Sequence, residues 1–173
     1  VTLGHDYQAA TEAVLEHFRD RGSRSSLVLL PDLQHTFVDL MAAGCTHFAR
    51  RHKDLKVRVV RAGGEGFERI VASGIAEGVD SIFSCLTDGA PTVAAVRSAG
   101  ANPGTDVLVA VLSDGPVEAF TDPPVTTLAF LPEQSAVGAV DAVEMALGGR
   151  SGTVVSPFDL IVRESSRRSL RNS

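Results

Sequence analysis

The residues able to do chemistry are few, and they sit in short stretches that follow apolar runs. A serine, a histidine and an acid form an acyl-transfer set when the base reaches the nucleophile and the acid orients the base. Ser113, His35 and Asp88 could supply one. The chain has no Gly-x-Ser-x-Gly turn to lift a serine out of a sheet, and the flanking residues do not demand the pairing. Asp32, Asp88 and Asp114 are expected instead to accept amide hydrogens at helix N-termini. Gly63-Gly64-Glu65-Gly66 lacks both Gly-x-Gly-x-x-Gly spacing and a phosphate-loop lysine. Glu65 would repel an anion, so a tight turn is expected there. His47 and His52 are five apart and miss the i, i+4 spacing of a helical metal pair, while His5 and His17 stand alone. No metal or cofactor, and no catalysis, is expected. Cys45 and Cys85 lie in apolar patterns and read as buried free thiols in a reducing, cytoplasmic compartment.

Apolar periodicity supplies the elements that would position these residues. Helical stripes run through Ala10, Ala13, Val14 and Phe18, through Phe37, Leu40, Met41, Gly44 and Phe48, and through Phe67, Ile70, Val71, Gly74 and Ile75. Further helices are predicted over 90–99 and 133–147. Strand-like runs cover 26–30, 57–60, 81–86, 107–112, 125–130 and 160–162. The stretch 1–19 reads as helical throughout, and 165–173, rich in Ser and Arg, as a frayed tail. Strands alternating with helices imply an α/β fold, a doubly wound parallel sheet covered on both faces. Ligands bind such sheets beyond the carboxyl ends of the strands. The segments 31–37, 61–66, 87–90, 113–115 and 131–132 are therefore the candidate site. Asp122-Pro-Pro-Val-Thr-Thr-Leu128 reads as a stiff loop leading into a buried strand, because proline cannot sit in a paired strand interior.

The totals narrow the function classes. The chain has 173 residues, is 44% hydrophobic and 21% charged, and carries a net charge of −5. That is one globular domain's worth of core. An acidic balance argues against a nucleic-acid surface. The cations Arg50, Arg51, Lys53, Lys56 and Arg58 suit a solvated helix end, and Arg167, Arg168 and Arg171 a solubilising tail. No apolar run nears the about 20 residues of a membrane span. A first residue of Val rather than Met suggests a fragment or a processed product.

Four stretches together resemble the effector-binding region of lactose-repressor-type (LacI/GalR family) transcription regulators. They are Asp6…Ala9…Ala13…His17…Arg21-Gly22; Met41-Ala-Ala-Gly44; Thr87-Asp88 with Gly100…Asp106-Val107…Ser113-Asp114; and Asp122-Pro-Pro-Val-Thr-Thr-Leu128 with Val162-Arg-Glu-Ser-Ser166. The match spans about residues 1–166. It implies a Rossmann-like, periplasmic-binding-protein type I subdomain. Residues 1–128 and 156–166 would form the C-terminal effector-binding subdomain, 129–155 a crossover and a helix of the other subdomain, and 167–173 a flexible tail. The helix over 133–147, apolar on most sides, would then pack in an unusual way on its own sheet or be buried in an oligomer.

The resemblance implies a ligand-sensing, homodimeric part of a regulator. Its partners would be a small-molecule effector such as a sugar or related metabolite, and operator DNA only through an N-terminal domain that this chain lacks; no membrane is involved. Positions matching the family's cleft are His35, Phe37, Met41, Glu65, Thr87, Asp88 and Ser113. Met41 stands where sugar-binding members carry Arg, Thr87 where they carry Asn, and Ser113 where they carry Asp. Losing a guanidinium and a carboxylate removes groups that hold sugar hydroxyls. Phe37 and Met41 also suit a core stripe, and Asp88 a helix cap. A periplasmic-type sugar-binding protein shares the fold and is the alternative; a hydrolase using Ser113, Asp88 and His35 is a third reading.

Overall fold

The computed structural model describes residues 1–168. Six strands form the main sheet: β2 (Ser25–Pro31), β3 (Lys56–Ala62), β4 (Ser81–Ser84), β5 (Leu108–Leu112), β6 (Thr126–Ala129) and β8 (Asp159–Ile161). Their spatial order is β3-β2-β4-β5-β6-β8. Every neighbouring pair is parallel except β6 with β8, which is antiparallel. β8 can run backwards because the chain returns to the sheet edge from outside it and needs no crossover helix.

Helices α1 (Tyr7–Asp20) and α2 (Thr36–Arg51) cover one face, and α3 (Phe67–Ala76) and α4 (Gly89–Ser98) the other. Strand side chains alternate between the faces. Val28, Leu30, Phe83, Leu108 and Ala110 meet Val14, Phe18, Met41 and Phe48 on the first. Leu27, Leu29, Ile82, Val109 and Val111 meet Val71, Val93 and Val96 on the second. Both cores are mainly apolar, as expected for buried parallel strands, with Ser26, Ser81, Ser84, Thr126 and Thr127 as the buried polar strand positions. Gly44 lets α1 and α2 touch, since a Cβ there would lie 2.8 Å from the Gln8 carbonyl oxygen.

A second, smaller sheet stands apart from the first. β1 (Thr2–His5) pairs only with β7 (Thr153–Ser156), in parallel. The expected helical reading of 1–19 is thus corrected for its first residues, and β7 was not predicted. Each strand is four residues long, and β1 contains a glycine. Such short runs carry no periodicity until they are paired across the fold. α5 (Pro132–Leu147) packs on this small sheet rather than on the six-stranded one. Its outer face leaves Val137, Val140, Val143 and Leu147 at 63%, 58%, 58% and 85% exposure.

The segment after β8 is pinned rather than frayed. Arg163 donates from Nη1 to the Val125 carbonyl (2.6 Å) and to Thr127 Oγ1 (2.9 Å). Ser165 Oγ donates to the Val109 carbonyl at 2.7 Å and accepts from Thr126 N at 2.9 Å. His17 Nε2 meets Ser166 Oγ at 2.8 Å. Arg168 donates to the carbonyls of Thr105 and Asp106. The expected loose tail therefore does not begin at 165 or 167; residues 169–173 lie outside the described residues. These bonds were hidden because serine and arginine are equally at home in a tail and in a backbone clamp.

Candidate functional site

The carboxyl ends of β2, β4, β5 and β6 lie side by side, about 4.8 Å apart per strand. Their loops make a rim about 15 Å long, the scale of a small molecule. Tyr7, at the start of α1, joins this rim from β1.

Local chemistry shapes each loop. His35 stands before α2 in extended backbone, and its Nδ1 accepts from Phe37 N at 3.4 Å. That bond places the neutral ring's proton on Nε2, leaving a donor on an exposed side chain. It also displaces Asp32 from the expected capping role. Asp88 occupies the N-cap position of α4 but makes no side-chain cap bond. The Gly89 amide instead donates to Glu118 Oε2 at 3.0 Å. Glu118 is fully buried, and a Cβ on residue 89 would collide with its carboxylate. Asp114 caps no helix; its Oδ1 accepts from Phe130 N at 2.6 Å and ties the end of β6 to the loop after β5. The three expected helix caps are thus corrected. An acid after a strand has competing amides to serve, and tertiary packing selects among them.

The seven family-matched positions separate. His35 and Phe37 come together, with ring centroids 5.0 Å apart. Phe37 continues to Tyr7 at 5.8 Å, Tyr7 to Phe130 at 4.9 Å, and Phe130 to His5 at 4.7 Å. Met41 is corrected: it is 0% exposed in the α1–α2 core and cannot touch a ligand. Its α2 stripe points into the sheet, as the apolar periodicity already allowed. Glu65 lines a hollow of about 490 Å³ beside the edge strand β3, with Arg58, Val60 and Ile70. Thr87 lines a separate groove of about 640 Å³ between α3 and α4, with Phe67, Ala72, Pro91 and Ala95. Its hydroxyl is paired with Thr92 Oγ1 at 2.9 Å. Asp88 is exposed, and Ser113 Oγ accepts from Gly115 N at 3.4 Å. The Ser113 hydroxyl and the His35 Nδ1 each bond within their own loop, so no nucleophile–base pair is set up.

Sequence reasoning missed His5, Tyr7, Asp114 and Phe130 as members of one group. Tyr7 and Phe130 are far apart in sequence and meet where α1 packs on the sheet face that Phe130 also joins. Burial, and after it the Asp114 carboxylate, raise the Tyr7 phenol above its ordinary pKa, so Tyr7 keeps its proton. His5 Nδ1 and Ser156 Oγ, aligned across β1 and β7, are both buried without a hydrogen-bond partner. The thiols sit in the same core: burial pushes Cys45 up to about 12 and Cys85 well above its usual value. Among the described residues no group of three or more His, Cys, Asp or Glu could hold a metal ion, and no helix is long and apolar enough to cross a membrane.

The fold is the doubly wound, parallel-dominated α/β arrangement also seen in solved periplasmic-binding-protein-like LacI regulators. It is similar to a dimeric lac repressor with an 11-residue C-terminal deletion, with a TM-score of 0.79 at 20% identity over 95% of this chain and 63% of that one. The transcription regulator CcpA of Lactococcus lactis gives a TM-score of 0.77 at 13% identity over 95% and 64%. A periplasmic binding protein/LacI transcriptional regulator from Alkaliphilus metalliredigens QYMF, complexed with D-xylulofuranose, gives 0.76 at 18% over 96% and 65%. The chain thus spans a little under two thirds of the length of these structures. No family model matches the sequence, and no curated protein matches it.

Proposed function

We propose that this chain is the ligand-sensing and dimer-forming part of a LacI-type transcription regulator working in the cytoplasm, and no enzyme. The observation that carries the reading is the arrangement at the strand ends. Phe37 after β2 and Phe130 after β6 meet His5 at the end of β1 and Tyr7 just beyond it. A small molecule held between two lobes favours one closure angle and so biases whatever is attached to them. We take β1, β7 and α5 to belong to a second lobe, with its apolar outer face covered by chain outside this sequence. Operator DNA would be read by a segment outside it as well.

Dimerisation is supported by the α3–α4 side. Phe120 and Val117 are 85% and 56% exposed on the 3-10 turn Pro116–Phe120, which Glu118 fastens to the start of α4. The α3–α4 groove lies on the same helical layer. A two-fold interface uses one such patch twice.

The test uses the protein as its gene encodes it. Selection from random duplex DNA should return a palindromic site, and light scattering should give a dimer that Phe120→Asp converts to a monomer. Recovery of no DNA sequence from a monomeric, exported protein would overturn the reading and leave the periplasmic alternative.

A further inference from the structure

The rings at the strand ends say which chemical class the cleft takes. Four of the five rings, His5, Tyr7, Phe37 and Phe130, form a continuous edge-to-face and tilted series with neighbouring centroids 4.7–5.8 Å apart, and His35 extends it at 5.0 Å. Phe130 is the buried floor at 7% exposure, while Tyr7 and Phe37 are half-exposed and keep ring surface free. Half-exposed rings fixed against a buried one make a stacking shelf, since little rotamer freedom is left to lose on binding.

The polar groups on this rim do not suit a polyol. A sugar needs forks of free donors and acceptors. Met41 is in the core, Thr87 Oγ1 is paired with Thr92, and Ser113 Oγ is held by Gly115 N. The exposed charged side chains beside the rings are acids, and His35 adds a free Nε2. Asp114 spends Oδ1 on Phe130 N, and its exposed carboxylate is close enough to raise the Tyr7 phenol. Asp88 is exposed at the next strand end, and its side chain caps nothing. Arg61, at the end of β3, is committed to Asp39 at 2.8 Å. A carboxylate beside aromatic faces attracts a cation twice over, by charge and by the ring quadrupoles.

We propose that the cleft binds an arylalkylamine, its ring against the half-buried Tyr7 and Phe37 and its ammonium on the Asp114 carboxylate. This rests on the effector reading above and names the ligand class of that same site.

Four probes test it by calorimetry on the protein as its gene encodes it. Tyramine carries ring and ammonium, 4-ethylphenol the ring alone, 3-(4-hydroxyphenyl)propionate the ring with an anion, and xylose neither. Tyramine should bind tightest, and Asp114→Asn should cut its affinity about fivefold while leaving 4-ethylphenol unchanged. The asparagine keeps an oxygen for the Phe130 amide, so the loop should hold. Tyr7→Leu, which keeps the bulk, should weaken tyramine and 4-ethylphenol alike. Binding of xylose but not of the ring compounds would overturn the ligand class and leave the effector reading standing. Equal affinity for tyramine and the propionate, or no binding of any ring probe, overturns the inference outright. In that last case the DNA selection decides separately whether the effector reading survives.

Discussion

The six-stranded half and the small β1–β7–α5 unit are made from the same kinds of residue, yet they differ in closure. In the larger half the central strands β2, β4 and β5 have helices over both faces, and Phe18, Phe48, Phe83 and Leu128 are wholly or almost wholly buried. In the smaller, a two-stranded sheet carries one helix, whose valines and Leu147 stay open to solvent. A two-stranded sheet is at best marginal alone. The difference teaches that stability and site precision come from the larger half. The smaller one contributes His5 to the rim from the end of β1, next to Tyr7 at the start of α1.

Substitutions should separate the two regions, and the largest effect belongs to the closed core. Phe83→Ala should cost about 3–5 kcal/mol, read as a lower urea midpoint. If it costs under 1 kcal/mol, the sheet's α1–α2 face is not the cohesive core described. Next comes Gly44→Ala, where the added methyl meets the Gln8 backbone. About 1–3 kcal/mol is expected, with Gly4→Ala, which has open space, as the mild counterpart.

A pH effect should follow in size, and it too reports on the larger half. Burial, then the Arg21 charge, hold the His17 imidazole below its ordinary value against the Ser166 bond. A histidine with a depressed folded pKa takes up protons more readily when unfolded. Its contribution is therefore complete above the unfolded value near 6.5 and is lost as pH falls through the folded value. Thermal midpoints should drop between pH 7 and 5, and less steeply in His17→Gln. An equal slope in the variant would assign the effect elsewhere.

The smallest effect is expected in α5. Val140→Ser should leave unfolding of this 173-residue chain within about 0.5 kcal/mol, because the side chain is 58% exposed. A cost above 1 kcal/mol would mean that the small unit's outer face is covered, and would erase the contrast between the regions.

Much of the larger half was legible. Leu27-Val-Leu-Leu30 and Leu108-Val-Ala-Val-Leu112 announce buried strands, and the α1, α2 and α3 stripes point where their periodicity says. The candidate site was legible only in part. Among the strand-end residues, His35 and Phe37 do meet. Met41 was assigned by position although its stripe marked it as core. The acids Asp32, Asp88 and Asp114 were given the commonest local role, and a histidine and the distant Glu118 took the helix starts instead.

The sequence by itself determined the α/β alternation and the depth of the main strands. Those follow from apolar spacing and from glycine and proline punctuation, which act over a few residues. Only the tertiary structure decided that β1 pairs with β7, that Ser165 and Ser166 are clamped under β5 and β6, and that Tyr7, Phe37 and Phe130 share one shelf. Those are contacts between residues tens of positions apart, and the energy that selects them comes from burial and backbone bonding that exist only once the chain has closed on itself.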